Sequence, residues 1–94
     1  MSKRVWKYLI KRGTWSIETM PRGAKPLTVQ TQDDVPMLLA LVDPDERPEP
    51  RWFRTVATGQ ELPDDAPAWA YIGTFQVEIY VFHVFEVQLP DANE

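Results

Sequence analysis

The chain has 94 residues, a formal net charge of −4 at pH 7 and no cysteine. This length fits one domain, and the lack of cysteine excludes disulfides and thiolate metal sites and is typical of a reducing compartment. The first ten residues lack the apolar core of a signal peptide, and no apolar run approaches the roughly 20 residues that span a bilayer. We expect a soluble cytoplasmic domain over residues 1–90 and a disordered tail at 91–94.

Short strands separated by turn signals account for most of the chain. Alternation of side-chain character with a period of two predicts strands, and no apolar 3.6-residue period extends far enough to predict a helix. Glycine and proline mark the turns, beginning at Arg12-Gly13, and residues 61–67 have room for one helical turn. The predicted strands are 4–12, 14–20, 27–32, 37–42, 51–58, 69–77 and 79–88. We therefore predict an all-β domain, a small antiparallel sandwich or partly open barrel of six to seven strands.

Several local features add detail to this fold. The runs at 37–42 and 79–87 are apolar on both alternating faces, so a second sheet, a closed barrel or another subunit should cover each face. Gly73 interrupts the sixth strand, which predicts a bulge or a close approach by another backbone. Residues 32–36 predict a hairpin with a loop of about three to five residues. The prolines and acidic residues of 43–50 predict an exposed loop.

Charge is distributed unevenly along the chain. Residues 1–25 carry seven basic side chains and one acidic side chain, a net charge of +6, whereas residues 26–94 carry three basic and thirteen acidic ones, a net charge of −10. One interpretation is that basic early strands pair with acidic later strands. The other is a basic surface that binds an anion, a nucleotide or an acidic partner.

Few residues offer catalytic chemistry. His83 is the one histidine, and its position among apolar residues favours a core or interface histidine over a general base or a metal ligand. The acidic residues of the 43–50 loop lack the spacing of a calcium site, so solvated charges are the better interpretation of Asp43, Asp45, Glu46 and Glu49. Turn roles likewise fit Asp33-Asp34 and Asp64-Asp65. No nucleophile motif or nucleotide-binding loop occurs, and we expect no catalytic residue, no metal and no cofactor.

Basic and aromatic residues are interleaved in two segments, Lys3–Tyr8 and Arg51–Arg54. Such side chains can stack on bases and hold phosphates. Neighbours in a strand face opposite ways, however, so the rings can equally lie in the core while the cations stay in water. The acidic overall charge argues against a long nucleic acid, whereas a small anion needs only a few cations. The sequence predicts a ligand- or partner-binding surface formed by Lys7, Lys11, Arg12, Arg51, Trp52 and Arg54.

Several longer phrases carry a resemblance that spans roughly residues 3–87. They are Lys3-Arg-Val-Trp-Lys-Tyr8, Met20-Pro-Arg-Gly-Ala-Lys25, Ala40-Leu-Val-Asp-Pro44, Thr58-Gly59, Tyr71-Ile-Gly-Thr-Phe75 and Val81-Phe-His-Val-Phe-Glu-Val87. With these phrases the chain resembles a family of small phage and prophage proteins of unknown function. The resemblance implies a virus-encoded protein that acts in a bacterial cytoplasm, and it implies no activity. Asp33-Asp34 stands where a turn such as Asn-Gly is expected, which predicts a looser hairpin.

Together these observations favour binding over catalysis. We expect a non-enzymatic, phage-encoded protein that binds a host protein or a small anionic ligand such as a nucleotide, with inhibition of a host defence as one form of that role. One alternative is a homo-oligomeric virion or assembly component, because the two-faced apolar strands favour an oligomer. The other is a metal-dependent nuclease or nucleotide hydrolase that uses the acidic loop and His83. No membrane partner is expected.

Overall fold

Two antiparallel sheets build the fold. The computed structural model describes residues 2–11 and 15–88, so the turn predicted at Arg12-Gly13 and the tail predicted at 91–94 lie outside the described residues. That part of the chain contains seven strands, namely β1 (Arg4–Leu9), β2 (Trp15–Pro21), β3 (Lys25–Gln32), β4 (Val35–Val42), β5 (Pro48–Ala57), β6 (Ala70–Val77) and β7 (Tyr80–Glu86). The three-stranded sheet has the order β1-β4-β3 and the four-stranded sheet the order β2-β5-β7-β6. The predicted antiparallel all-β fold is confirmed, and the sheets do not close into a barrel.

One hydrophobic core joins the two sheets. Strand β4 contributes Leu38, Ala40 and Val42, while the four-stranded sheet contributes Phe53 and Val84, all of them fully or almost fully buried. These side chains recur at every second residue, which is the alternation that the sequence showed. The molecule is only 16 Å thick in its shortest dimension, so it has room for two layers of strands and no third. Among the described residues, no third layer of strands therefore covers the outer surface of either sheet.

Strand β5 begins earlier than the sequence predicted. The structure extends it to Pro48, so that part of the predicted 43–50 loop is strand. Pro48 and Pro50 pair with β2, whereas pairing of β5 with β7 begins only at Phe53. One edge of the proline-containing segment thus has no neighbouring strand. A proline N, which has no hydrogen to donate, is tolerated at such an unpaired edge.

The β3–β4 hairpin is tighter than predicted. Its loop has two residues, Asp33 and Asp34, with φ angles of 52° and 64°. Both residues lie in the left-handed region that two-residue hairpins of this class require and that Asn-Gly adopts most easily. The strand register through Gln32↔Val35 imposes this geometry on two aspartates, so the prediction of a longer, looser loop was wrong.

The prediction for Gly73 is confirmed in both of its forms. The register of β6 against β7 shifts between Tyr71 and Gly73, which marks a bulge. A Cβ added to Gly73 would lie 3.0 Å from Val29 Cγ2 and 3.3 Å from the Val29 backbone nitrogen. Glycine therefore lets β6 approach β3 at the junction between the two sheets.

A short helical element crosses the outer surface of the four-stranded sheet. It is a 3-10 turn at Ala66–Ala68, close to the helical turn predicted within 61–67, and Pro67 lies in it. Among residues 2–11 and 15–88, no helix has the length and apolar character needed to cross a membrane. The segment that carries this turn, residues 58–69, packs over Phe85 on β7, so the chain itself covers part of the outer side of that two-faced strand.

Candidate functional site

Strand register places a row of large side chains across the outer surface of the four-stranded sheet. Trp15 on β2 pairs with Arg54 on β5, Arg54 pairs with Phe85 on β7, and Phe85 pairs with Tyr71 on β6. Residues directly opposite one another in neighbouring strands point to the same side of the sheet. We use the term aromatic face for the surface that these side chains form together with their neighbours Ile17, Trp52 and Trp69.

The rings of the aromatic face contact one another in a chain. Trp69 lies between Trp15 and Phe85, with ring centroids 6.3 Å and 5.8 Å away, and Tyr71 lies 5.5 Å from Phe85. All three contacts are edge-to-face, the geometry that aromatic quadrupoles favour. The Arg54 guanidinium lies 5.5 Å from the Trp15 ring centroid, within cation–π range. Packing thus holds these rings in fixed mutual positions.

Part of the aromatic face remains open to solvent. Ile17 is 54% exposed, Tyr71 is 57% exposed and Trp15 is 39% exposed. Single exposed apolar residues are common on protein surfaces, but a contiguous apolar patch indicates an interaction site. The aromatic face is contiguous because its members are cross-strand neighbours or ring contacts.

His83 lies beside the aromatic face and is half-buried there. Its Nε2 is 2.6 Å from Thr58 Oγ1 and its Nδ1 is 3.0 Å from Thr74 Oγ1, and Thr74 Oγ1 in turn shares a hydrogen bond with the Tyr71 hydroxyl. A threonine hydroxyl can donate or accept, so these bonds suit either tautomer of the ring. The network fixes the orientation of the Tyr71 ring, and it gives His83 a structural role in this surface.

Arg51 faces the opposite way from Arg54. Its guanidinium binds the Glu86 carboxylate through two hydrogen bonds, one of them 2.9 Å from Nη2 to Oε1, and its Nη1 donates to the Ala24 carbonyl at 2.8 Å. The hydrogen bonds to Glu86 raise the pKa of Arg51 above its usual range. Both side chains are mostly buried. Arg51 therefore ties β5 to β7 and to the start of β3.

Tyr8 and Glu18 lie between the sheets near Arg51. Burial is the main cause that raises the pKa of both groups; the charge of Glu18 raises the pKa of Tyr8 further, and Lys11 partly offsets the rise at Glu18. The Tyr8 hydroxyl is buried and has no hydrogen-bond partner among the described residues. Each of these groups is thus more easily kept neutral here than in water.

Two grooves lie at the end of the molecule where Gly23 turns the chain. One, of about 470 Å³, is lined by the Arg51–Glu86 pair and Glu49. The other, of about 450 Å³, is lined by three cations and two carboxylates, namely Lys3, Arg22, Lys25, Asp43 and Glu46. Asp43 already lies 3.7 Å from Lys3. The sequence predicted solvated charges in the 43–50 loop; Asp45 and Glu46 are exposed, whereas Asp43 forms an ion pair with Lys3.

The predicted binding residues do not form one surface. Trp52 and Arg54 belong to the aromatic face, whereas Lys7 lies on the outer surface of the three-stranded sheet and Arg51 lies between the sheets. Lys11 is exposed just beyond β1, and Arg12 lies outside the described residues. The sequence reasoning missed Trp15, Ile17, Trp69, Tyr71 and Phe85. The alternation in each strand showed which residues share a side, but not which strands would be neighbours.

The family of the chain follows from comparison with known proteins. A family model described as Domain of unknown function (DUF7352) matches residues 1–94. The chain belongs to this family. No curated protein and no solved structure matches it. The family description assigns no activity.

Proposed function

We propose that this DUF7352 protein is a non-enzymatic binding module whose aromatic face docks on a partner protein. The observation that supports it most is the contiguous, partly exposed patch of Trp15, Ile17 and Tyr71 around Arg54. Aromatic residues and arginine are enriched at the centres of protein interfaces, and they supply most hot spots. Their rigid mutual packing also reduces the side-chain entropy lost on binding.

A protein partner fits this surface better than an anion does. Arg54 is the one cation on the outer side of the described strands of the four-stranded sheet, and it already lies against Trp15. The 58–69 segment, which ends at Trp69 of the aromatic face, also carries three acidic residues, Glu61, Asp64 and Asp65. A polyanion needs several cations at each contact. The three cations of the second groove face two carboxylates, so a small anionic ligand has weaker support.

The test uses two matched double variants. Ile17→Ser with Tyr71→Ser removes the exposed part of the aromatic face, and Leu27→Ser with Val35→Ser removes comparably exposed aliphatic residues from the other sheet. Each variant and the parent protein would serve as bait for lysate of the native host, after thermal melts show that all three are folded. We expect one protein to be retained by the parent and the control but lost from the aromatic-face variant. Equal retention by all three baits would overturn the proposal.

A homo-oligomeric structural component is the second candidate function. It is supported by the outer surface of the three-stranded sheet, where Val5, Leu9, Leu27 and Val35 are exposed around the half-buried Met37, Leu39 and Leu41 of β4. A second copy that covers this surface would explain why β4 is apolar on both faces. Light scattering across a concentration series decides this question, because Leu39→Lys should abolish any dimer. A parent protein that stays monomeric at high concentration argues against the candidate.

Phage origin and inhibition of a host defence complete the proposal. The sequence phrases support the phage origin, and inhibition of a defence is one form that binding to a host protein would take. The measurement is the plating efficiency of phages on bacteria that carry a defence system, with and without expression of this protein. We expect expression of the parent protein to raise plating, and the aromatic-face variant to fail. Unchanged plating efficiency with every defence system would contradict inhibition of a host defence. Partner binding would still be judged by the capture experiment above.

A further inference from the structure

Strand β1 has one unpaired edge. It is the terminal strand of the three-stranded sheet and pairs only with β4 among the described residues. The N–H of Ile10, which continues the strand, donates to the Pro36 carbonyl at 3.2 Å. Because backbone polar groups alternate in direction along a strand, the N–H and C=O groups of Val5, Lys7 and Leu9 point toward the open edge.

This edge is accessible along its full length. All residues of β1 except Tyr8 are exposed, with Val5 at 57% and Leu9 at 61%. On the inner side, Trp6 is partly exposed. Strand β1 does not pair with β2, although the two meet just beyond β1, where the Lys11 N–H donates to Ser16 Oγ at 2.8 Å. An accessible edge with apolar side chains is a template for a further strand. An added strand would gain backbone hydrogen bonds at the edge and apolar contacts on both sides.

Charge indicates what kind of strand fits. Lys3, Arg4, Lys7 and Lys11 lie along this edge, with no acidic residue among them. Lys3 pairs with Asp43, and Lys11 is close enough to Glu18 to offset part of the rise that burial causes in the pKa of that carboxyl. Arg4 and Lys7 have no carboxylate within salt-bridge distance among the described residues. Lys7 lies on the outer side opposite Leu39, whereas Arg4 lies on the inner side opposite Val42. On the outer side, an acidic segment would therefore find Lys7 without a carboxylate partner.

The same charges oppose pairing with a second copy of β1. A symmetric antiparallel pair centred on Lys7 would place Lys7 opposite Lys7 of the second copy and Lys3 opposite Lys11. Like charges directly opposite one another destabilise a strand pair. Lysine on an edge strand is also a common protection against self-association. The edge thus disfavours its own copy and favours an acidic chain.

We propose that β1 docks an extended acidic segment of a partner polypeptide by strand addition, which extends the three-stranded sheet to four strands. On the outer side, acidic residues of that segment would face Lys7, between Val5 and Leu9. On the inner side, apolar residues would pack against Trp6. The recognised pattern is therefore an alternation of acidic and apolar residues. This site belongs to the other sheet from the aromatic face and is independent of the proposed function.

Synthetic peptides test the proposal directly. The probe is a fluorescein-labelled, end-capped nonapeptide of alternating Glu and Val, compared with a Lys and Val version and with a Glu and Val version that is N-methylated at alternate residues. Fluorescence anisotropy should show binding of the first peptide that weakens as salt increases. The other two should bind at least tenfold more weakly. Equal binding of the N-methylated or the basic peptide would overturn the proposal, as would no binding at millimolar concentration.

Variants of the protein locate the site. Lys7→Glu should reverse the preference, so that the basic peptide binds and the acidic one does not, while Ile17→Ser with Tyr71→Ser should bind the acidic peptide as the parent does. Amide hydrogen exchange should show new protection at Val5, Lys7 and Leu9 on peptide addition. Concentration-dependent protection of these amides without peptide would mean that a second copy occupies the edge, which contradicts the proposal. Unchanged peptide preference in the charge-reversed variant would also contradict it.

Discussion

Arg51 and Arg54 are three residues apart on β5 and lie in opposite environments. Arg51 lies between the sheets, where the Glu86 carboxylate and the Ala24 carbonyl occupy its donors. Arg54 lies on the aromatic face against the Trp15 ring. Strand alternation separates them because an odd offset in sequence reverses the direction of the side chain. The difference teaches that the two sides of β5 have different roles: Arg51 on the inner side stabilises the fold, while Arg54 on the outer side forms part of the aromatic face.

The largest expected effect is the difference in unfolding free energy between a variant that lacks Arg51 and one that lacks Arg54. Arg51→Met should lower the free energy of unfolding by about 2–3 kcal/mol, because it leaves the largely buried Glu86 carboxylate without its partner. Arg54→Met should lower it by about 0.5 kcal/mol or less, since one partly exposed cation–π contact is lost. Urea denaturation of both variants measures the two changes. Similar losses of unfolding free energy in the two variants would contradict the different roles of Arg51 and Arg54.

A second inner position extends the comparison to β6. Gly73→Ala should cost about 1–3 kcal/mol, because the new methyl group meets Val29 Cγ2 and the Val29 backbone. The double variant with Val29→Ala should cost less than the two single changes added together, because the second change removes the nearer clashing atom. A double-mutant cycle by urea denaturation measures this coupling. Strict additivity would show that β6 and β3 do not approach as described.

The hydrogen bonds of His83 on the outer surface should contribute less to the free energy of unfolding than the inner Arg51–Glu86 pair does. His83→Phe keeps a ring but loses both threonine contacts, and we expect a loss of about 1 kcal/mol of unfolding free energy. Partner capture should weaken more than this loss implies, because Tyr71 loses its fixed orientation. The NMR chemical shifts of the Tyr71 ring should move in the variant. Unchanged Tyr71 shifts would show that the network does not position this ring.

The smallest expected effect is a pH dependence at Glu18. Burial raises its pKa in the folded state above the ordinary value of 4.5, so the folded protein holds this proton more tightly than the unfolded chain does. The resulting stabilisation is fully present below the unfolded pKa and is lost as pH rises through the folded pKa. Glu18→Gln should therefore remove a decrease in thermal stability that the parent shows on going from about pH 4 toward neutrality. Parallel melting-temperature profiles for the two proteins would contradict this assignment.

Much of the fold could be predicted from the sequence because strand signals are local. Alternation indicated seven strands, and Gly73 marked both a bulge and a close approach. The hairpin at Asp33 and Asp34 was misjudged because register across the whole strand pair, rather than turn preference, determined the loop length. Pro48 and Pro50 concealed the start of β5 because an unpaired strand edge cannot be recognised before the sheet order is known.

The candidate site could be predicted only in part. Trp52 and Arg54 were selected from the interleaving of basic and aromatic residues, and both lie on the aromatic face. Arg51 was selected by the same pattern, but alternation and the Glu86 carboxylate place it between the sheets. The row from Trp15 to Tyr71 depends on contacts between residues far apart in sequence. Local patterns contain no information about which strands are neighbours.

The most direct test of the central claim is photo-crosslinking from defined positions. A photoreactive amino acid would replace Ile17 on the aromatic face or Leu27 on the outer surface of the other sheet, two exposed aliphatic positions, and each protein would be irradiated in lysate of the native host. We predict one specific crosslinked product from position 17 and none from position 27. Equal products from both positions, or a product only from position 27, would contradict the claim that the aromatic face is the surface that binds a partner.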